Sequence, residues 1–428
     1  MKNITKRYQV RFICCAFILH LTILSIVGAQ EIRTPNLKAV APVIEPVQAI
    51  YSNSDGSTFI PKNCYPKFSW ESTPVYYMFG DTKHLLTPEE VRFIAGKTGF
   101  LTIEKSHGLD ELGAAELGTK HEAAAFKKVN PDIKVLFYFN SAWAWPFTSY
   151  NKNFTPEKIN DYPELKSYLL VNPETGELNF REHYIRHTYS FDVLNPDFRK
   201  WWVETVARGV EESGCDGAFI DQMHGFYSLR EDRKEEVHEA QGELISALKK
   251  KLGPDKIVLG NNTIDEIARY AYPAIDANMF EHYSSALLSK ETLLKDWDDM
   301  LRLARDGKMS IFRIGVGKGP FVEEYKSIMG TAQTREESMV LLAKERIEYH
   351  LACFLIGAQP YSFFQYGWGW DLSDGSLYDY PELHKPLGAP KGAYKRTDPN
   401  GWEFTREFEH ASVWVDTEKG QAKIDWKY

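Results

Sequence analysis

The sequence predicts an α/β protein, a (β/α)8 TIM-type barrel with a short C-terminal β appendage, and three observations carry that expectation. Eight short runs rich in β-branched and aromatic residues alternate with longer segments of helical period from Trp70 onward. Several of these runs, such as Val135-Leu136-Phe137-Tyr138-Phe139 and Ala218-Phe219-Ile220, are apolar without alternation, as strands covered on both faces must be. No glycine-rich phosphate turn follows any strand, which argues against an open doubly wound sheet.

In chain order the strand candidates are Val75 to Phe79, Phe100 to Glu104, Lys134 to Asn140, Gly217 to Gln222, Lys256 to Asn261, Ala277 to His282, Met309 to Gly315 and Gln359 to Gln365. The segments between them carry their own start and stop signals. Asn195-Pro196 supplies a cap and a proline at the first helical position, Phe198, Trp201, Trp202, Val206 and Val210 form a stripe, and Gly214 ends it. Val237, Ala240, Leu244, Leu248 and Leu252 share one face before Gly253-Pro254. Ser289 opens a helix carrying Leu293, Leu294, Trp297, Met300, Leu301 and Ala304. Such stripes are core packing. One insertion, from about Ser141 to Tyr189, separates the third strand from its helix.

The ends of the chain have other textures. Lys2, Lys6, Arg7 and Arg11 precede an apolar run from Phe12 that closes Val27-Gly28-Ala29 before Gln30, so residues 1–29 read as a signal peptide and the protein as secreted or periplasmic. An uncleaved membrane anchor is the competing reading, but His20 and Thr22 interrupt the run and a cleavage pattern ends it, so no stable membrane insertion is expected after cleavage. Cys14 and Cys15 lie mid-run, which speaks against a lipoprotein anchor. The remaining Cys64, Cys215 and Cys353 imply no disulfide framework and have no zinc-ligand spacing. Residues 30–66, rich in Pro, Ser, Asn and Asp, read as a linker or surface strap. Residues 67–377 would form the barrel, and 378–428, alternating at Ser412-Val413-Trp414-Val415, the β appendage. At 43% hydrophobic and net charge -8 the chain can bury a large core, and its one basic cluster lies in the leader, so nucleic acid is not an expected partner.

In such a barrel the reacting groups close the strands at the C-terminal face. Asp221 ends the fourth strand directly after three apolar residues, a costly place for a carboxylate unless it reaches a solvated or hydrogen-bonded mouth. Glu281 closes the sixth strand similarly. Two carboxylates converging from different strands supply what glycoside hydrolysis requires: one ionised as nucleophile or base, here Asp221, the other protonated as acid, here Glu281. Spacing leaves retention or inversion open. Glu104, Asn140, Asn261, Arg313 and Gln365 also lie at strand ends, and with His224 and Tyr283 could hold sugar hydroxyls or the carboxylates. Trp143 and Trp145 follow strand three, and Tyr366, Trp368 and Trp370 follow strand eight. Exposed there, their flat rings would suit the apolar faces of a carbohydrate, though burial in the core is the plainer alternative. Asp192 could reach the site from the stretch before the third helix or serve a turn. Asn261-Asn262-Thr263 and Asn153-Phe154-Thr155 match the N-glycosylation acceptor.

The combination of Phe191-Asp192-Val193-Leu194-Asn195-Pro196, Cys215-Asp216-Gly217-Ala218-Phe219-Ile220-Asp221 and Phe280-Glu281-His282-Tyr283 resembles hypothetical glycosyl hydrolase family fifteen and its relatives in the endo-α-1,4-polygalactosaminidase group. Leu387-Gly388-Ala389-Pro390 and Arg406-Glu407-Phe408-Glu409 are similar to the closing β segment of such proteins. The resemblance runs from about Trp70 and implies a TIM-type fold with Asp221 and Glu281 in the catalytic positions, without implying a substrate; from the residues a carbohydrate is the expected partner, and no cofactor is expected. Two other readings compete. His183 and His187, four residues apart, could join Asp221 or His224 around a metal for deacetylase-like hydrolysis, although Arg186 between them opposes a cation. A non-catalytic carbohydrate-binding barrel would use the same rim without turnover.

Overall fold

The computed structural model describes residues 49–181, 188–223, 230–264, 268–282, 289–316 and 335–427. The expected signal peptide, residues 1–29, and residues 30–48 of the expected linker or strap lie outside the described residues. Eight strands form one parallel sheet: β1 (Tyr77–Phe79), β2 (Phe100–Ile103), β3 (Lys134–Asn140), β4 (Gly217–Asp221), β5 (Ile257–Asn261), β6 (Ala277–Glu281), β7 (Met309–Ile314) and β8 (Ser362–Tyr366). Each pairs with its sequence neighbour. The first and last strands meet through parallel bridges Val75–Phe364 and Gly80–Asp371. There the Tyr76 amide donates to the Phe364 carbonyl at 2.9 Å and the Gly80 amide to the Trp370 carbonyl at 2.8 Å, so the sheet is closed into a barrel. All eight strands expected from the sequence are present, shifted at most a few residues at their ends.

Helices α1 (Pro88–Ala95), α2 (Ala115–Val129), α3 (Pro196–Ser213), α4 (Lys234–Leu252), α5 (Lys290–Arg305) and α6 (Arg335–Gly357) cover the outside. Their boundaries follow local chemistry. Asn195 accepts from the Asp197 amide at 2.9 Å to start α3, and Gly214, at φ 70°, ends it in a conformation that costs other residues a clash. Thr87 and Glu90 close a capping box on α1. The eight-helix pattern is incomplete. Between β5 and β6 the described residues hold a single-turn helix, Tyr272–Ala274, because the connection is short and Pro273 interrupts it. After β8 the chain enters the appendage in place of an eighth helix.

That appendage is an antiparallel sheet, β9 (Lys395–Arg396), β10 (Glu403–Glu407), β11 (Ala411–Asp416) and β12 (Gln421–Trp426), packed on α6. Its anchor is Arg406, 2% exposed, whose Nη1 donates to the carbonyls of Leu355, Ile356 and Ala358 at 2.9, 2.9 and 2.6 Å. These are the orphan acceptors of the last turn of α6, which β10 satisfies from outside the helix. At the opposite end of the barrel, residues 51–68 form a ribbon whose Phe59 and Phe68 both stack on Tyr361 at 4.8 Å. Lys62 there meets the fully buried Asp276 at 2.6 Å, and Lys249 meets the same carboxylate at 2.7 Å. This seals the N-terminal mouth and leaves the C-terminal mouth open. Cys64, Cys215 and Cys353 are free and buried, and among the described residues no helix is long and apolar enough to cross a membrane.

Replacing Arg406 by Met keeps most of the stem but strands three buried carbonyls. The Arg406→Met protein is expected to lose about 3 kcal/mol of stability, read as a lower denaturant midpoint at unchanged slope. A midpoint equal to wild type would mean the appendage is held by its apolar face alone.

Candidate active site

Alternation along a strand decides which side chains enter the barrel. Met78, Phe100, Leu136, Tyr138, Phe219, Ile257, Leu259, Met279, Ile311 and Phe363 fill it as one cluster. Counting forward by twos from these residues reaches Glu104, Asn140, Asp221, Asn261, Glu281, Arg313 and Gln365. The last inward position of seven strands is therefore polar, and their ring surrounds the open mouth.

Four donors converge on Asp221. Its Oδ2 accepts from the Tyr138 hydroxyl at 2.5 Å and lies 3.5 Å from Asn140 Nδ2, while Oδ1 accepts from the Gln222 amide at 2.8 Å and from Asn261 Nδ2 at 2.9 Å. Gln222 itself adopts a left-handed backbone, φ 61°. The same Asn261 nitrogen also donates to Glu281 Oε2. One amide thus bridges the two carboxylates. The Glu281 amide is fixed in turn by Asn262 Oδ1 at 3.1 Å, again from a left-handed residue, φ 48°.

The electrostatics separate the acids. Burial and the negative charge of Asp221 push Glu281 above the ordinary glutamate range, against the opposing Asn261 hydrogen bond and the cations of Arg313 and Lys105. Burial likewise raises Glu104, which pairs with Lys105. The Lys105 ammonium, despite its own burial, is held charged by Glu104, Asp221 and Glu281. Tyr138 is pushed well above the usual phenol range by burial and by Asp221 and Glu104, so it remains a donor.

These groups line a cleft of about 350 Å³. Its floor is Met78, Tyr138 and Phe219, and its walls are Trp145 with Phe147 on one side and Trp370, Asp371 and Asp374 on another. Trp145 and Phe147 stack 5.5 Å apart. Asp371 is raised by burial and by Asp374 and Asp81 nearby.

Of the residues expected from the sequence, Asp221, Glu281, Glu104, Asn140, Trp145 and Asn261 line this cleft. Five others are placed elsewhere. Trp143 is buried in the core behind the barrel, bridged to Ser190 and touched by Arg181 at 5.2 Å, so it offers no sugar platform. Trp368 is buried behind β8 against Tyr378 at 5.7 Å, and Trp370, two residues on, takes the cleft position. Gln365 is buried, and its Nε2 donates to the Met78 carbonyl at 3.2 Å across the barrel closure. Arg313 is fully buried beneath the rim. Asp192 makes a turn, accepting from the Leu194 amide at 3.0 Å, and does not line the cleft. His224, Tyr283, His183 and His187 lie outside the described residues. Asn261, 2% exposed, is out of reach of glycosylation once folded.

The sequence reading passed over Tyr138 and Lys105. Tyr138 carried a usable signal, since it precedes Asn140 by two on the same strand and must face inward with it. Lys105 lies beyond the last strand residue, where alternation no longer specifies direction.

A family model described as hypothetical glycosyl hydrolase family 15 matches residues 127–412. No curated protein matches the chain. Similar solved structures include the glycoside hydrolase domain of PelA from Pseudomonas aeruginosa, with 13% identity, TM-score 0.39, and coverage of 63% of this chain and 92% of that one. Another is an alpha-amylase from Geobacillus thermoleovorans, solved with acarbose, with 12% identity, TM-score 0.47, and coverage of 81% and 87%. A third is Ega3 from Aspergillus fumigatus, solved with galactosamine, with 12% identity, TM-score 0.34, and coverage of 58% and 80%.

The cation of Lys105 lowers both Glu104 and Glu281 relative to burial alone. In Lys105→Met both carboxyls should therefore titrate at higher pH than in the parent protein, measured by carbon-13 spectra of glutamate-labelled samples. An unmoved Glu281 would show that the ammonium is screened from the pair.

Proposed function

The chain belongs to hypothetical glycosyl hydrolase family 15, and from that premise we propose that it cleaves the O-glycosidic bonds of an oligo- or polysaccharide with net retention of configuration. Asp221 is the nucleophile and Glu281 the acid and base. The supporting observation is the shared amide: one nitrogen, Asn261 Nδ2, donates to both carboxylates. Two hydrogen bonds meeting at one nitrogen keep their acceptor oxygens within about 6 Å. Retaining pairs stand about 5–5.5 Å apart, whereas inverting pairs need about 6.5–9.5 Å to admit a water.

The roles follow from the surroundings. Asp221 faces four donors, which suits an ionised carboxylate with its attacking oxygen held in place. Glu281, buried beside that charge, keeps its proton. In the first step Asp221 attacks the anomeric carbon while Glu281 protonates the departing oxygen. In the second, the Glu281 carboxylate takes a proton from water, the water oxygen bonds to the anomeric carbon, and Asp221 is released. Trp145, Phe147 and Trp370 offer flat apolar walls for the sugar, and the polar ring supplies partners for its hydroxyls. The basic and apolar leader ending at Ala29 supports action outside the cytoplasm.

Asp221→Asn is expected to lose turnover on all glycosides. Glu281→Gln should lose about 10²–10⁴-fold on unactivated substrates yet still release dinitrophenol from a 2,4-dinitrophenyl glycoside, whose leaving group needs no proton. Proton spectra of the first product should give the anomer of the substrate; the opposite anomer would sink the retaining assignment.

The pH dependence has a fixed sign. Activity should fall as pH rises through the raised Glu281 value, where the acid loses its proton. A profile without the alkaline limb would contradict Glu281 as the acid.

A further inference from the structure

Arg313 was expected from the sequence to hold sugar hydroxyls or the carboxylates, and it is fully buried at the last inward position of β7, between Glu281 on β6 and Gln365 on β8 in the sheet register. Its guanidinium carbon lies 4.3 Å from the ring centre of Trp370. Nη2 donates to the Gly369 carbonyl at 2.9 Å, in the residue before that tryptophan, and Nη1 to the His282 carbonyl at 3.3 Å, in the residue after Glu281. One rigid fork therefore touches the backbone next to the cleft wall and the backbone next to the acid, and stacks on the wall itself.

We infer that Arg313 is a positioning residue that holds the Trp370 wall and the Glu281 carboxyl in one fixed relation across the barrel mouth. This rests on the assignment of Glu281 as the acid and of Trp370 as a sugar platform. The β7–Trp370 stack presents the half-buried ring to the cleft, where it packs over the barrel interior. The Arg313 cation also opposes the burial of Glu281 from the β7 side. The other groups facing Glu281 are Asp221 from β4, Asn261 from β5 and Lys105 from beyond β2. A lysine at 313 could keep the charge but could not stack as a plane or present the same fork.

The test needs no substrate. The protein is labelled with 5-fluorotryptophan and with carboxyl-labelled glutamate, the Trp370 and Glu281 signals being assigned by their loss in Trp370→Phe and Glu281→Gln. In Arg313→Met the Trp370 fluorine signal should move while the other tryptophans stay in place, and Glu281 should titrate at higher pH. In Trp370→Phe the Glu281 titration should stay near wild type. In Arg313→Lys the Trp370 signal should move while Glu281 shifts less than in Arg313→Met. If the methionine protein does not fold, the lysine protein decides, because an unmoved Trp370 signal there would overturn the inference. So would an Arg313→Met protein in which neither signal changes. A protein that hydrolyses no glycoside would refute the proposed function and leave these two readouts intact, so the failures are distinguishable.

Discussion

Closure of the sheet between β1 and β8 is the constraint on which the rest depends. Once the Gly80 and Tyr76 amides pair with the far edge, every strand has one side chain in two committed to an interior with no room for solvent. Apolar residues fill those positions until the last turn outward. There a polar side chain avoids the several kcal/mol cost of burial without a partner, because the mouth is open and its neighbours on adjacent strands are polar too. The ring of Glu104, Asn140, Asp221, Asn261, Glu281, Arg313 and Gln365 is thus a consequence of closure as much as of chemistry. An open sheet would spread the same residues along an edge, leaving Glu104 beyond β2 and Gln365 on β8 far apart instead of around one mouth, whereas Asp221, Asn261 and Glu281 meet because β4, β5 and β6 are neighbours.

The ring is costly, and its arrangement offsets the cost locally. The three carboxylates of the ring repel each other by amounts that grow as water is excluded, and Asp371 and Asp374 add to the charge of the same opening. Lys105 neutralises Glu104, four donors surround Asp221, and burial beside Asp221 raises Glu281, favouring its protonated form. Each solution uses a different physical means: an ion pair, hydrogen bonds and protonation. Removing any one shifts the burden to the others, so these residues should couple in double-mutant cycles as contacting groups do.

Much of this architecture was legible in the sequence, for reasons that also mark where legibility stops. The eight strands announced themselves because unbroken apolar runs such as 135–139 have few alternatives, and α3 because Asn195-Pro196 and Gly214 bracket its stripe. Asp221 and Glu281 were legible because each breaks an apolar strand at its end. Trp143 and Trp368 were misplaced for a different reason. Both sit in loops, where the two-residue alternation lapses, and the partner residues Trp145 and Trp370, each two positions further on, occupy the cleft instead. Arg313 was placed within the seventh strand from the sequence, but its full burial was not legible, since a single sequence does not tell a side chain aimed at solvent from one folded beneath a loop. Among the described residues the connection between β5 and β6 holds only the single turn Tyr272–Ala274, which follows from Pro273 and a short connection, a local signal outweighed by the expectation of regular repeats.

Gln222 and Asn262 add a last step. Each directly follows a rim residue, Asp221 or Asn261, and each adopts a left-handed backbone that costs a non-glycine residue about 1–3 kcal/mol, asparagine less than glutamine. Glycine at either place would relieve the strain. Yet glycine at 262 would also remove the Asn262 side chain that holds the Glu281 amide. At that position strain is therefore kept for the sake of orientation, and the backbone beside Glu281 is fixed during folding.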